Sequence, residues 1–212
     1  MAPREVHFFD RNYNCRRGIG WYEKQFASGA QHRAIGEKTP GYCFVPQAAE
    51  RIHRHLPEVK LIWIFRDPVA RAYSNYWHFL RRSNERAGFA DAITKGLQQE
   101  QRVGRSDCVY LDKGRYAEQI RNYVRFFPRE QLLFLRFENF FRDPSLLLRP
   151  VFAFIAVSPD EVIDTQRRRN TASLPRSVSG LAVQGSLQVH PSIPLDPENQ
   201  QRSADWISAH VG

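Results

Sequence analysis

The chain has only three cysteines, one methionine and five lysines among its 212 residues, and its apolar runs are short. Cys15, Cys43 and Cys108 are odd in number, lie 28 and 65 positions apart and form no C-x-x-C pair. That pattern argues against a disulfide framework or a zinc site, and reduced thiols are expected. Cys43, set in an apolar stretch, reads as core. Spanning a bilayer takes about 20 apolar residues, and the most conspicuous run, Leu61–Phe65, has five. No transmembrane helix is therefore expected. The Met1–His7 start carries no apolar stretch of the signal-peptide kind, so the expected location is cytoplasmic. With 42% hydrophobic, 13% aromatic and 25% charged residues, disorder and collagen-like structure are excluded.

Cations outnumber acids by 31 to 22, a formal charge of +9. With five lysines, 26 of those cations are arginine. The guanidinium is a planar fork of donors that suits phosphate, sulfate and carboxylate. Two readings follow: a solvated basic surface, or an anionic ligand or anionic polymer substrate.

The length suits one domain, with no internal repeat and no low-complexity linker before about residue 165. Up to that point strand-like runs alternate with helical patterns. Glu5–Phe9 reads as a short strand, Trp21–Phe26 as a helix and Arg33–Lys38 as a weaker strand. Pro46–Leu56 reads as a helix with Ala49, Ile52 and Leu56 on one face, ended by Pro57. The continuous run Leu61–Phe65 reads as a parallel strand buried on both faces. Asp67 then stands as an N-cap with Pro68 at the first helical position, followed by Val69, Ala72, Tyr73, Tyr76 and Leu80 at helical spacing. A helix through Tyr116, Ile120, Tyr123, Val124 and Phe127 closes at Pro128. Leu132–Leu135 gives another buried strand, and Asp143-Pro144 repeats the cap before Leu147–Ile155. Such alternation predicts an α/β fold with a mostly parallel sheet. From Asp164 on, Arg167-Arg168-Arg169-Asn170, scattered serines and four prolines read as a loop or lid, or as a tail.

Three segments carry chemistry. Arg66 sits at the carboxyl end of a strand, where open α/β sheets bind ligands, and the next helix aims its amide donors the same way. Ser74, two turns on, lies where it could donate only to a phosphate along the helix flank. The alternative makes Arg66 a surface ion pair with Asp67, and Ser74 a neutral helix residue. In the second segment, Glu5 and His7 would share a strand face. A carboxylate and an imidazole meeting there suit acid–base work on a hydroxyl or amine, or else form an edge-strand ion pair. In the third, Glu37-Lys38 reads as a charge pair halted by Pro40. Lys38 gains a role only if something anionic sits above the sheet.

Glu5-Val6-His7-Phe8-Phe9-Asp10, Gly20-Trp21-Tyr22, Glu37-Lys38-Thr39-Pro40-Gly41-Tyr42 and Arg66–Tyr76 occur together in one order and spacing. Tyr123–Pro128, Phe137–Phe140 and Asp143-Pro144 follow them. This set resembles the sulfotransferases, closest to the heparan sulfate 3-O-/N-sulfotransferase-like group and its bacterial relatives, over roughly residues 4–157. The resemblance implies a P-loop-kinase-like parallel sheet flanked by helices, and 3′-phosphoadenosine-5′-phosphosulfate (PAPS) as donor, with no metal. It implies Arg66 and Ser74 for the donor's 3′-phosphate, Glu5 as the base and Lys38 beside the transferring group. His7, Asp10 and His78 fall at substrate positions, although His78 replaces a Gln of some relatives. The acceptor it implies is a carbohydrate, or another anionic acceptor, bearing a hydroxyl or amine.

Two departures stand out. No Gly-x-Thr phosphosulfate loop occurs in the sequence. The expectation is a fold lacking its first strand and Gly-rich loop, with residues 1–164 as a truncated transferase domain and 165–212 as its lid, inactive or poorly active alone. In place of a basic Lys-Gly-Arg loop the sequence has Gln184-Gly185-Ser186, with Arg167–Arg169 and Arg176 as the cations that could compensate. An inactive nucleotide- or glycan-binding remnant and a non-specific nucleic-acid binder remain as alternatives. The latter lacks any recognisable nucleic-acid-binding signature.

Overall fold

A computed structural model describes residues 5–81, 86–103 and 110–159. Cys108, Arg167–Arg169, Arg176, Gln184–Ser186 and the expected 165–212 lid lie outside the described residues. The chain divides into two compact units. The described residues of the first lie within 5–65 and 116–159, and those of the second within 66–81, 86–103 and 110–115.

The first unit carries helices α1 (Asn12–Cys15), α2 (Ile19–Lys24), α3 (Gly41–Phe44) and α4 (Pro46–His55), then strand β1 (Leu61–Phe65). The second unit carries α5 (Pro68–Arg81) and α6 (Phe89–Val103). The chain then returns to the first unit with α7 (Tyr116–Tyr123), strand β2 (Leu132–Arg136), α8 (Glu138–Arg142) and α9 (Ser145–Ile155).

In the first unit β1 and β2 pair in parallel, Leu61 opposite Leu132 and Phe65 opposite Arg136. Trp63 and Phe65 are buried, and the Trp63 ring meets Tyr123 edge-on at 4.9 Å. Ile62 and Ile64, on the other face, are 38% and 52% exposed. The expected two-sided burial of this strand is thus corrected to one side, because the aromatic partners contributed by α7 and β2 meet only one face. On α7, Ile120 and Tyr123 are buried, whereas Val124, expected on the same face, is half exposed just past the helix end. Tyr123 also donates its hydroxyl to the Tyr42 carbonyl at 2.8 Å, tying α7 to α3. Asp143 accepts the Ser145 amide at 2.9 Å, as its place before α9 predicts.

Glu5–Phe9 is not a strand. His7 has φ +53°, in the left-handed region, so residues 8–10 turn sharply and Phe8 and Phe9 are both buried. Those rings lie edge-to-face 4.9 Å apart, and Phe9 also packs on Tyr22 and Tyr42. The apolar signal in this segment is a plug of aromatic core, which a period-2 reading mistakes for a strand. Arg33–Lys38 likewise belongs to no strand among the described residues.

The second unit closes around Ala72, Tyr76, Ala92 and Tyr110, with Trp77, Leu80 and Phe89 packed against them. Asp67 caps α5 by accepting the Ala70 amide at 2.7 Å. Val69, expected to face inward, is 70% exposed, so the buried stripe of α5 runs through Ala72 and Tyr76.

Candidate functional site

Four of the seven residues singled out in the sequence meet in the first unit. Lys38 Nζ stands 2.9 Å from Glu5 Oε1, and His7 Nε2 is 3.2 Å from Glu5 Oε2. His7 Nδ1 lies 2.8 Å from Asp10 Oδ2. The result is a continuous relay, Lys38–Glu5–His7–Asp10. Its exposure is graded: the Lys38 side chain is 72% exposed and that of Asp10 only 6%. An imidazole between two carboxylates satisfies both only when both ring nitrogens carry hydrogen, since the neutral ring has one donor.

Burial pushes the Glu5 carboxyl up, but the hydrogen bond and charge of Lys38, with those of His7, outweigh it and hold the group below its ordinary range. Glu5 is therefore ionised at neutral pH and able to accept a proton.

The left-handed turn at His7 is held by side chains instead of a strand ladder. Val6 N–H donates to Glu37 Oε2 at 3.3 Å, His7 N–H to Thr39 Oγ1 at 3.4 Å and Phe8 N–H to the Tyr42 hydroxyl at 3.0 Å. Buried Asn14 donates through Nδ2 to the carbonyls of Val6 and His7, both at 3.1 Å. Arg51 adds a bond to the Phe9 carbonyl at 3.1 Å. Glu37 does not pair with its neighbour Lys38, as the charge-pair reading supposed. Its carboxylate accepts the Thr39 hydroxyl at 2.8 Å and the Tyr42 hydroxyl at 2.7 Å. The sequence reading missed Glu37, Thr39, Tyr42 and Asn14 as supports. The available signal was the alternation around Lys38, whose flanking residues turn inward as it turns out.

Arg66, Ser74 and His78 belong to the second unit. Arg66 is partly buried directly ahead of α5, and Ser74 and His78 are exposed one turn apart on that helix. A guanidinium and a hydroxyl are each of a donor type that suits a phosphate. Cys43 is held as a thiol, its ionisation pushed up to about 11 by burial. Among the described residues no group of three His, Cys, Asp or Glu side chains is arranged to hold a metal ion, and no helix is long and apolar enough to cross a membrane.

Residues 11–161 match the profile described as the sulfotransferase family. Heparan sulfate glucosamine 3-O-sulfotransferase 6 of Mus musculus is 35% identical over 144 residues, 66% of this chain and 40% of that protein. The 3-O-sulfotransferase 3A1 of the same species is 32% identical over 155 residues, 72% of this chain and 38% of that protein. The human bifunctional heparan sulfate N-deacetylase/N-sulfotransferase 3 is 34% identical over 164 residues, 73% of this chain and 18% of that protein. The chain therefore spans about two fifths of the length of the 3-O-sulfotransferases it matches. Among solved structures, a sulfotransferase from Alicyclobacillus acidocaldarius superposes with a TM-score of 0.68 at 27% identity, covering 99% of this chain and 80% of that one. The α/β arrangement of a small parallel sheet flanked by helices is thus the P-loop-like fold of that enzyme class, and the chain belongs to the sulfotransferase family.

Proposed function

We propose that this chain transfers a sulfuryl group from PAPS to a hydroxyl or amine of a carbohydrate acceptor. The observation that carries the reading is the Lys38–Glu5–His7–Asp10 relay, an ionised carboxylate between an ammonium and an imidazole. The family match and the names of the heparan sulfate relatives support both the reaction and the acceptor class.

In this reading PAPS is a substrate that brings the sulfuryl group. Arg66 and Ser74 bind its 3′-phosphate, which the guanidinium and hydroxyl suit chemically. The acceptor oxygen or nitrogen attacks sulfur as its proton passes to Glu5 Oε2 or Oε1. The bond from sulfur to the bridging oxygen breaks, and the electron pair leaves with 3′-phosphoadenosine-5′-phosphate. Lys38 Nζ, the exposed end of the relay, neutralises charge shifting onto the departing oxygen. As Lys38 turns toward that charge, Glu5 loses the contact that depresses its basicity and becomes a better proton acceptor. His7, fixed by Asp10, keeps the Glu5 carboxylate in place.

The test is a transfer assay on the full chain with labelled PAPS, offered N-sulfated, N-acetylated and unsubstituted glycosaminoglycan chains beside a neutral polysaccharide. Label carried into one of the glycosaminoglycans, and lost in Glu5→Gln, supports the reading. A chain that neither transfers label nor binds 3′-phosphoadenosine-5′-phosphate overturns it.

A further inference from the structure

Glu37 is adjacent to Lys38 in sequence, yet its carboxylate faces away from that cation and gathers donors from three directions. Oε2 accepts the Val6 amide at 3.3 Å and the Thr39 hydroxyl at 2.8 Å, and Oε1 accepts the Tyr42 hydroxyl at 2.7 Å. Val6 is the residue between Glu5 and His7, so the carboxylate grips the backbone at the midpoint of the two relay residues. Thr39, which Glu37 orients, takes the next amide, that of His7. Tyr42 donates to Glu37 and accepts the third amide, that of Phe8. Three consecutive N–H groups of a left-handed turn are thus satisfied by side chains of one short segment, 37–42.

This segment also carries Lys38. Because residues 37 and 39 anchor inward, Lys38 projects outward and reaches Glu5 Oε1. We propose that Glu37 is a positioning residue that sets the register between Lys38 and the Glu5–His7 pair, an inference that rests on the reading of Glu5 as the base. Engaging the carboxylate with hydroxyl and amide donors leaves Lys38 available to Glu5, whereas a Glu37–Lys38 ion pair would compete for it. Burial, and then Glu37, push the Tyr22 and Tyr42 phenols up, so both stay protonated throughout the physiological range and Tyr42 keeps donating to Glu37.

The experiment uses the full chain with Glu37→Gln, which preserves shape but sets an amide NH2 against one of the converging donors, and Tyr42→Phe, which removes one donor. A reactive geometry displaced by about 1 Å can cost about 10²-fold in rate. Glu37→Gln is expected to lower kcat about tenfold or more with the donor KM within about twofold, and Tyr42→Phe to do the same to a smaller extent. A second readout needs no turnover: the Glu5 carboxyl carbon, followed by NMR titration, is expected to move up toward the ordinary carboxylate range in both variants. That shift in a wild-type chain that neither transfers label nor binds 3′-phosphoadenosine-5′-phosphate would sink the sulfuryl-transfer reading and leave the Glu37–Glu5 coupling standing. A variant that melts at lower temperature but retains the wild-type Glu5 titration would make Glu37 purely structural and overturn the proposal. If Glu37→Gln does not fold, Tyr42→Phe alone distinguishes the two outcomes by the same titration.

Discussion

Asp10 fills the space in front of Gly41: a β-carbon on Gly41 would stand 1.9 Å from Asp10 Oδ2 and 2.9 Å from its Cγ. That oxygen is the one facing His7 Nδ1, so the missing side chain at residue 41 is what lets Asp10 reach the imidazole. The requirement is one of close approach, since residue 41 opens α3 in helical geometry. Gly41→Ala is expected to push Asp10 off His7, lowering kcat about tenfold or more and destabilising the fold by roughly 1–3 kcal/mol, the usual cost of overpacking. Steady-state kinetics beside a thermal melt check it. Wild-type values in both would mean that Asp10 moves aside freely and does not orient His7.

Glu5→Gln separates the base from the ion pair. The amide is isosteric and can still accept a hydrogen bond from Lys38, so the segment is expected to fold as before. Turnover should fall about 10²-fold or more while affinity for the donor barely changes. Single-turnover transfer measured beside donor binding distinguishes the two. Turnover within a few-fold of wild type would make Glu5 structural and pass the role of base to His7.

Arg66 stands where a β-strand hands over to a 14-residue helix whose first turn Asp67 caps. A charge-assisted hydrogen bond contributes about 1.5–3 kcal/mol, so Arg66→Ala should weaken binding of 3′-phosphoadenosine-5′-phosphate by at least about tenfold. Ser74→Ala should have a smaller effect in the same direction. Calorimetry on the two variants reads this directly, and unchanged affinity for Arg66→Ala would remove the nucleotide from this helix.

The elements legible in the sequence are those with local signals. Asp67-Pro68 and Asp143-Pro144 announce two helix starts, and both aspartates accept the expected amides. Leu61–Phe65 and Leu132–Leu135 form the parallel pair. The segments that mimic strands, Glu5–Phe9 and Arg33–Lys38, are held by contacts that span about 30 residues, such as Val6 to Glu37 and Phe8 to Tyr42. No periodicity within a window of ten residues reports those contacts. The convergence of Glu5 and His7 is expected from the sequence, but on the wrong ground. The two side chains meet because His7 is left-handed, whereas a shared strand face is the expected cause. Lys38 joins them by a route that sequence spacing could not show, since its apparent partner Glu37 is engaged elsewhere.

The electrostatics of the relay set a pH dependence whose sign is fixed. Glu5 is held below its ordinary value of 4.5: burial raises it, and Lys38 and His7 lower it by more. A carboxyl depressed on folding contributes stability above its unfolded value and loses it as pH falls through the folded one. Here that contribution is small, because over a third of the Glu5 side chain meets solvent. The rate profile is the more sensitive probe. The acid limb of kcat/KM that reports Glu5 in the free enzyme should lie below pH 4.5. Lys38→Met removes the leading contributions that lower the group and leaves the burial that raises it, so the limb should move toward neutral pH. The height of the profile should also drop, because the cation opposite the leaving group is gone, but the position of the limb is independent of its height. A titration of the Glu5 carboxyl by NMR should shift in the same direction without substrate. A limb and a titration that both stay in place in Lys38→Met would show that the 2.9 Å contact does not control the basicity of Glu5.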